Sequence, residues 1–353
     1  METIKTKKVS KVFCFVKESN KKGYFCKKKR TVLTQYQTAF LSYMKEQLPE
    51  NSPASLYEPA SYIMQLGGKR IRPVLALLAA DAVGGSFKNA LPAALAVEVF
   101  HNFSLVHDDI MDDAPLRRGQ VTVHEKWDAN TGILSGDVML IWAYECLNIY
   151  PGTLFKELTS LFSATARKVC EGQQYDMDFP NQKLVTQQEY MQMIAYKTAV
   201  LLGCSLQMGA LVGGASKETS LPFYNFGIEL GLAFQLQDDY LDAFGDPETF
   251  GKQIGGDIIE NKKTLLYLLA LELGSPEDAA ALERLFETNP TDPTQKIAQV
   301  KELFTTSGAV EQIQQQMKAY TENALKEVDQ FPVEEEKKEI FKAFALQLMD
   351  RKL

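Results

Sequence analysis

A helical periodicity runs through most of this chain, and it limits the possible fold more than any other feature. From about residue 32 onward, apolar residues recur at intervals of three and four, while alternating β-branched runs are scarce. Turn signals rich in glycine and proline separate candidate helices, among them 91–112, 187–212 and 220–243. No compositional break or repeat period appears. The sequence therefore predicts a single all-helical domain over residues 32–353, although a length of 353 residues alone would favour two domains.

The distribution of charge excludes some partners. The net charge is −7, but residues 1–30 hold eleven Lys or Arg against Glu2 and Glu18, a balance of +9, so the remainder carries −16. A body this acidic is poorly suited to nucleic acid, for which clustered positive charge dominates affinity. Residues 1–31 are predicted to form a disordered basic tail.

Cysteine content, histidine content and hydropathy disfavour other classes. Five cysteines, an odd number without C-x-x-C spacing, argue against a disulfide framework and a zinc site, and three histidines argue against a His-based metal centre. Residues 199–214 come nearest to a membrane span, but they are fewer than the roughly eighteen apolar residues required and are glycine-rich, which indicates a buried core helix. No signal peptide is evident, so a cytoplasmic protein without a membrane span is expected.

An apolar helix ends in a block of acid within "LVHDDIMDDAPLRRG", residues 105–119. On a helix, Asp108 and Asp112 stack one turn apart with Asp109 at the edge of the same face. Like charges at this spacing destabilise a helix by a few tenths of a kcal/mol per pair. A solvated helix end is one explanation. Carboxylates without His or Cys suit magnesium rather than zinc, so a magnesium site is the other.

A second acidic block repeats this arrangement. "FQLQDDYLDAFGD", residues 234–246, places Asp238, Asp239 and Asp242 at the carboxyl end of another apolar helix. The helix dipole disfavours anions at that end. Two unfavourable placements with the same spacing favour a pair of facing clusters that hold magnesium, an ion that commonly shares phosphate oxygens as ligands.

Basic residues lie in or beside the same stretches. In "GGKRIRP" one helix closes at Gly67-Gly68 and the next opens near Pro73, so its basic residues surround a helix N-terminus, where free N–H groups attract anions. No Ser-His-Asp set, cysteine nucleophile or glycine-rich nucleotide loop is evident. The combination favours chemistry in which diphosphate is the leaving group. The cations are Lys69, Arg72, Arg117, Arg118, Lys197, Lys252 and Lys262.

Together, "GGKRIRP", "DDIMD" followed by "LRRG", and "FQLQDDYLD" followed by "GK" and "GGD" resemble the motifs of the trans-isoprenyl diphosphate synthases, or polyprenyl synthetases. The resemblance runs from about residue 40 to 270. It implies the isoprenoid synthase fold, a bundle of long antiparallel helices around a deep central cavity, in a homodimer. It also implies a Mg²⁺-dependent short-chain prenyltransferase whose substrates are isopentenyl diphosphate and an allylic diphosphate.

The resemblance also implies roles for individual residues. The magnesium ligands would be Asp108, Asp109, Asp112, Asp238, Asp239 and Asp242. The allylic diphosphate would contact Arg117, Lys197, Lys252 and Lys262, and the oxygens that stabilise the allylic cation would belong to Lys197, Thr198 and Gln235. The isopentenyl diphosphate pocket would comprise Lys69, Arg72, His101 and Arg118. A further polar patch facing the metals would contain Gln173 and Asp176.

The implied reaction ionises the allylic diphosphate, adds isopentenyl diphosphate to the carbocation and loses a proton to the departing diphosphate. Product length would be set by residues below the first acidic motif. Ser104, one turn below Asp108, is small, while Phe103 and Phe100 bring bulk roughly 7–12 Å down the helix. In the family this pattern suits geranylgeranyl (C20) or farnesyl (C15) diphosphate.

Two alternatives remain, a terpene cyclase and a non-catalytic partner subunit. Cyclases carry an N-S-E type second motif, and idle subunits typically lose acidic motifs, whereas both blocks here are intact. The chain departs from the family at Gln120-Val121, where a Lys-Pro style pair is usual. Asp113 is an extra acid without a role, and the terminal Arg351-Lys352-Leu353 only weakly resembles the tail that closes some farnesyl synthases.

Overall fold

The computed structural model describes residues 33–246 and 254–350, and most of these residues lie in helices. The basic tail 1–31, Lys252 and the terminal residues 351–353 lie outside the described residues. The helices are α1 (33–46), α2 (Ala54–Gln65), α3 (Ile71–Ala82), α4 (Leu91–Met111), α5 (Val123–Lys126), α6 (Ala129–Glu145), α7 (Gly152–Asp178), α8 (Gln187–Ile194), α9 (Val200–Val212), α10 (Lys217–Phe244), α11 (Gly256–Ile259), α12 (Leu265–Leu273), α13 (Pro276–Phe286), α14 (Thr294–Thr306), α15 (Ala309–Asp329) and α16 (Glu335–Met349).

Short elements complete the architecture. Within the described ranges, the strands are β1 (Leu116–Arg117) and β2 (Gln120–Val121), which form one antiparallel pair, and 3₁₀ turns cover Phe87–Ala90 and Phe179–Asn181. A π-helical segment, Ala195–Ala199, joins α8 to α9. The prediction of an all-α fold is confirmed. The predicted helices 91–112 and 220–243 correspond to α4 and α10, and the predicted helix 187–212 is continuous but contains the π turn.

The helix α9 is the centre of the bundle. Its residues from Val200 to Leu211 are all buried, and it packs against α3, α4, α7 and α10. By length and composition, Gln187–Val212 could cross a membrane, but 78% of its most apolar window is buried inside the protein. A core helix passes the same test, so its hydropathy is weak evidence for a membrane span.

The helix α10 connects two apolar cores. Its first half packs into a core built from α1 to α7 and α9, through residues such as Phe226 and Leu230. Its second half packs into another core with α8 and α12 to α15, through Leu236 and Leu241. Because α10 is anchored on both sides, the acidic block at its carboxyl end has a defined position.

Glycine permits a very close helix approach in the bundle. A Cβ on Gly209 of α9 would lie 2.0 Å from the carbonyl oxygen of Ala76 in α3. The neighbouring atom is backbone, so it cannot rotate away as a side chain could.

We predict that Gly209→Ala destabilises the protein by about 2 kcal/mol or more, because the added methyl group forces α3 and α9 apart. In a helix without this constraint the same change would stabilise by roughly 0.5–1 kcal/mol. Thermal and urea unfolding would measure the effect. Gly67→Ala is the control, since nothing lies within 4 Å of the position that its added methyl group would occupy, and its free energy of unfolding should change by less than about 0.5 kcal/mol. A variant Gly209→Ala as stable as the wild type would contradict the prediction.

Candidate active site

The first acidic motif sits where α4 ends. Asp109 is buried, Asp108 is mostly buried with 18% of its side chain exposed, and Asp112 is the C-cap residue. The Oδ1 atom of Asp108 and the Oδ2 atom of Asp109 are buried and accept no hydrogen bond. Asp113 differs, since 96% of its side chain is exposed. The motif therefore presents carboxylate oxygens that accept no hydrogen bond within a largely desolvated site.

Two predicted cations contact this motif. The β1–β2 turn brings Arg117 back to α4, where its Nε donates to Asp109 Oδ1 at 2.8 Å, its Nη2 donates to the same oxygen, and Nη2 lies 3.6 Å from Asp108 Oδ2. The Nζ atom of Lys197 lies 3.3 Å from Asp108 Oδ1 and donates to Asp176 Oδ2 at 2.5 Å. Arg117 and Lys197 thus approach the motif from two different elements.

Burial and neighbouring charges shift the pKa values of Asp109 and Lys197. It raises the pKa of Asp109, and Arg117 offsets this only in part. Burial also disfavours the ammonium of Lys197, but Asp176 and Asp108 outweigh it and raise the pKa of Lys197. Lys197 therefore stays charged, while burial keeps the pKa of Asp109 raised despite the adjacent Arg117.

The π-helical segment places Lys197 and Thr198 at the centre of the site. A Cβ on Gly172 of α7 would lie 2.3 Å from the Lys197 backbone nitrogen, so the segment packs directly on α7. Thr198 donates its hydroxyl proton to Gln235 Oε1 at 3.1 Å. π-Bulges within α-helices are frequent at functional sites. The sequence patterns predicted these residues but not the irregular helix that presents them.

The second acidic motif is less uniform than its spacing suggests. Asp239 is buried and accepts hydrogen bonds on both oxygens, from Tyr190 Oη at 2.5 Å and from Gln235 Nε2 at 3.0 Å. Burial and the nearby Asp257 raise the pKa of Asp239 to about 8. Asp242 Oδ2 accepts the backbone N–H of Asp257 at 3.0 Å and so holds the start of α11. Two of the three aspartates therefore organise neighbouring structure.

Lys262 interacts with the first motif and lines a cavity with Asp239 of the second. It follows α11, and its Nζ atom lies 2.7 Å from Glu260 Oε2. Although burial disfavours its charge, Glu260, Asp257 and then Asp112 of the first motif raise the pKa of Lys262. Partial desolvation and Asp108 raise the pKa of Asp112, and Lys262 reciprocally opposes that rise. The end of α4 and the segment around α11 thus share one electrostatic environment.

Two cavities meet at Lys197 and Thr198. One, of about 140 Å³, extends to the second motif and includes Gln235, Asp239 and Lys262. The other, of about 340 Å³, extends down α4. Its walls comprise Arg72, Phe100, His101, Phe103, Ser104, Leu105, His107, Asp108, Met111, Val169, Cys170, Gln173, Gln174, Met177 and Leu201. The acidic site is therefore continuous with an apolar chamber that contains every residue predicted to limit product length.

The floor of this chamber is aromatic. Phe100 is buried and packs against Phe103 and against Phe162 of α7, with ring centroids 5.4 Å apart in both pairs. Phe103 also packs on His107 at 4.8 Å. Ser104 lines the same chamber and has a small side chain.

Three of the four residues predicted to bind isopentenyl diphosphate lie together. Arg72 Nη1 is 3.3 Å from His101 Nε2. Burial and the arginines around it, Arg72 first and Arg118 next, lower the pKa of His101 well below its usual value, so the ring is neutral and Nε2 accepts from Arg72. Arg118 donates to the carbonyl oxygens of Leu66 and Gly67 at 3.1 and 2.6 Å. Lys69, by contrast, lines a separate cavity of about 310 Å³ beside α1 and α16.

Arg70, the second basic residue of "GGKRIRP", does not lie on the surface. It is buried and forms an ion pair with Glu98, and its Nη2 donates to the carbonyl oxygens of Met64 and Leu66 at 2.6 and 2.8 Å. A glutamate within the apolar run of α4 was the available signal for this pair.

The all-α bundle, its paired acidic helix ends and the adjoining apolar chamber define a class of enzyme that transfers prenyl groups from diphosphates. Comparison with known proteins agrees. The polyprenyl synthetase family model matches residues 53–304. A short chain isoprenyl diphosphate synthase of Methanothermobacter thermautotrophicus is 39% identical over 281 residues, which are 79% of this chain and 86% of that protein.

Solved structures of related enzymes also align with this chain. A crystal structure of a geranylgeranyl pyrophosphate synthase aligns with a TM-score of 0.88 at 49% identity and covers 91% of this chain and 99% of its own. A geranylgeranyl pyrophosphate synthase of Corynebacterium glutamicum, complexed with isoprenyl diphosphate and magnesium, aligns at 0.78 with 28% identity over 93% of this chain and 99% of its own. The chain belongs to the polyprenyl synthetase family. It has the isoprenoid synthase fold and is a short-chain prenyl diphosphate synthase.

Proposed function

We propose that this protein is a Mg²⁺-dependent geranylgeranyl diphosphate synthase that condenses isopentenyl diphosphate with allylic diphosphates. The observation that carries the proposal is the junction at Lys197 and Thr198, where the acidic site opens into a chamber floored by Phe103 and Phe100. A diphosphate can lie among the charged groups while its apolar chain enters the chamber.

The residues present fit magnesium. Asp108 and Asp109 each offer a buried carboxylate oxygen that accepts no hydrogen bond. All the candidate metal ligands are oxygen atoms, as a hard cation requires. Asp108, Asp109 and Asp112 would hold the ion on one side, and Asp238, Asp239 and Asp242 on the other. Among the latter three, Asp239 accepts hydrogen bonds from Tyr190 and Gln235, and Asp242 accepts one from the backbone of Asp257. Bound magnesium would stabilise the charge of the departing diphosphate.

The protein's own groups would complete the site. Arg117, Lys197 and Lys262 neutralise the allylic diphosphate, and Lys252 would join them from outside the described residues. The oxygens of Thr198 and Gln235 face the position where the allylic cation forms, and the apolar walls exclude water from that cation. No protein base is assigned. The proton passes to the departed diphosphate.

Magnesium dependence can be tested at the first motif. We predict that chelation abolishes product formation, that added Mg²⁺ restores it, and that Asp108→Asn lowers kcat by at least about 100-fold because a charged ligand for the ion is lost. Radiolabelled isopentenyl diphosphate incorporation would measure both effects. Asp113→Asn is the matched control, since its side chain is 96% exposed and contacts neither cavity, and it should retain activity within roughly threefold because exposed charges are screened. Equal losses in the two variants would contradict the assignment.

Product length can be tested at the chamber floor. We predict that the wild type with Mg²⁺, isopentenyl diphosphate and each allylic primer accumulates C20 diphosphate. Phe103→Ala should extend the product beyond C20 because it deepens the chamber, and Ser104→Phe should shorten it. Chromatography of the dephosphorylated alcohols would measure chain length.

Phe87→Ala is the control for the floor variants. Phe87 packs on Tyr36 at 5.3 Å and does not line the chamber, so its product should be unchanged. An unchanged product from Phe103→Ala would refute the floor assignment. Cyclic hydrocarbons from the wild type would indicate a terpene cyclase, and absence of turnover without another protein would indicate a partner subunit.

We further propose that the enzyme is a homodimer joined through α6. Leu134, Val138 and Ile141 follow one another at spacings of four and three, and Ile133 lies beside them. Leu134 and Ile141 are each 59% exposed and Ile133 is 43% exposed. A contiguous exposed apolar stripe of this kind favours a protein interface, and a second copy would bury it symmetrically.

If α6 forms the dimer interface, a charged side chain placed in it should lower the molecular mass of the protein in solution. Ile141→Asp should convert a dimer into a monomer because the carboxylate would be buried without a partner, and light scattering after gel filtration would measure the mass. Leu184→Asp is the control, since Leu184 is 86% exposed in a loop outside α6. A dimeric Ile141→Asp variant would contradict the proposed interface.

Cytoplasmic localisation is also proposed. The helix Gln187–Val212 is mostly buried in the bundle and contributes Lys197 and Thr198 to the site, which supports its role as a core helix rather than a membrane span.

A further inference from the structure

A buried ion pair lies behind the predicted isopentenyl diphosphate pocket. The side chains of Arg70 and Glu98 are only 2% and 3% exposed. Arg70 is the residue before α3 and adopts a left-handed conformation with φ of 50°, which is uncommon for a residue with a side chain. Its guanidinium joins Glu98 of α4 to the carbonyl oxygens of Met64 and Leu66. One side chain therefore ties the end of α2 and the start of α3 to the middle of α4.

The same backbone also holds Arg118. The carbonyl oxygen of Leu66 accepts hydrogen bonds from both Arg70 and Arg118, and Gly67 accepts a second one from Arg118. Arg72 lies two residues after Arg70, and His101 lies three residues after Glu98. A shift of the ion pair would therefore move all three groups that are predicted to bind the second diphosphate.

Glu98 is the anion that these cations share. Burial lowers the pKa of both Arg72 and Arg118, and Glu98 opposes this by favouring their charged forms, while the arginines disfavour one another. Asn102 steadies the carboxylate, since its Nδ2 donates to Glu98 Oε1 at 3.2 Å. Three guanidinium groups can thus stay close together before any substrate arrives.

We propose that Arg70 and Glu98 form a positioning pair that pre-assembles Arg72, His101 and Arg118 to receive the diphosphate of isopentenyl diphosphate. Neither residue touches that substrate. The inference rests on the proposed function, because it concerns the affinity for one of the two substrates of that reaction.

Electrostatics alone predicts the opposite result for the simplest variant. Glu98→Gln removes a negative charge beside a site for an anion, so long-range attraction would strengthen binding. The positioning pair predicts weaker binding, because Arg70, Arg72 and Arg118 would repel one another and move apart. The sign of the change therefore separates the two explanations.

The test compares Michaelis constants for the two substrates. In Glu98→Gln we expect the KM for isopentenyl diphosphate to rise at least tenfold, with the KM for the allylic primer and kcat at saturation changing less than about threefold. Glu229→Gln is the matched control. Glu229 is a half-buried glutamate on α10 whose neighbours are Asn323, Lys326 and Glu327, and its loss should leave both KM values unchanged.

A second variant separates loss of positioning from loss of folding. Arg70→Met with Glu98→Leu replaces the pair with apolar side chains, a change that often preserves the stability of a buried site. We expect this double variant to fold, as judged by circular dichroism and thermal unfolding, and still to show the raised KM for isopentenyl diphosphate. A folded double variant with a wild-type KM would overturn the proposal, as would an unchanged or lowered KM in Glu98→Gln.

Failure of the proposed function would look different. It would appear as a wild type that makes no elongated product with any primer. Calorimetric titration of isopentenyl diphosphate into the wild type and into Glu98→Gln would then test the positioning pair without turnover. Weaker binding by the variant supports the pair, and equal or tighter binding overturns it.

Discussion

Partly compensated negative charge at two buried helix ends is the constraint on which the site depends. Burial raises the pKa of Asp109 and Asp239, and mutual repulsion adds to this cost. Neighbouring cations offset it only in part. The apolar cores on either side must therefore stabilise an arrangement that the site itself disfavours, and a bound cation with a diphosphate would restore the balance. Strain of this kind is typical of a site prepared for its ligand.

The bundle maintains this arrangement through rigid and irregular elements in combination. Both apolar cores anchor α10, so its acidic end cannot drift away from α4. Between them, the π-helical segment carries Lys197 and Thr198, which line both cavities. The junction of the two cavities thus lies at a local departure from regular helix geometry.

Charge balance explains the differences between the two ends of the site. At the first acidic motif, cations approach carboxylates, and Lys197 is paired with Asp176. On the other side, arginines crowd around a neutral His101 and a single buried carboxylate, Glu98. In the proposed reaction, the first side would take metal and diphosphate together, and the second would take diphosphate alone.

The sequence by itself determined the all-α class, the ends of α4 and α10, and the candidate residues of both acidic motifs, because helical periodicity and repeated carboxylate spacing are local properties of the chain. It also identified the aromatic positions below Asp108, since distance along a helix follows from its rise. Equal spacing could not show that Asp239 accepts a hydrogen bond from Tyr190 and that Asp242 accepts one from the start of α11. Nor could it separate buried Arg70 from Arg72 two residues away. Those distinctions depend on partners distant in sequence, and only tertiary packing decides which side chains lose water and which donors replace it.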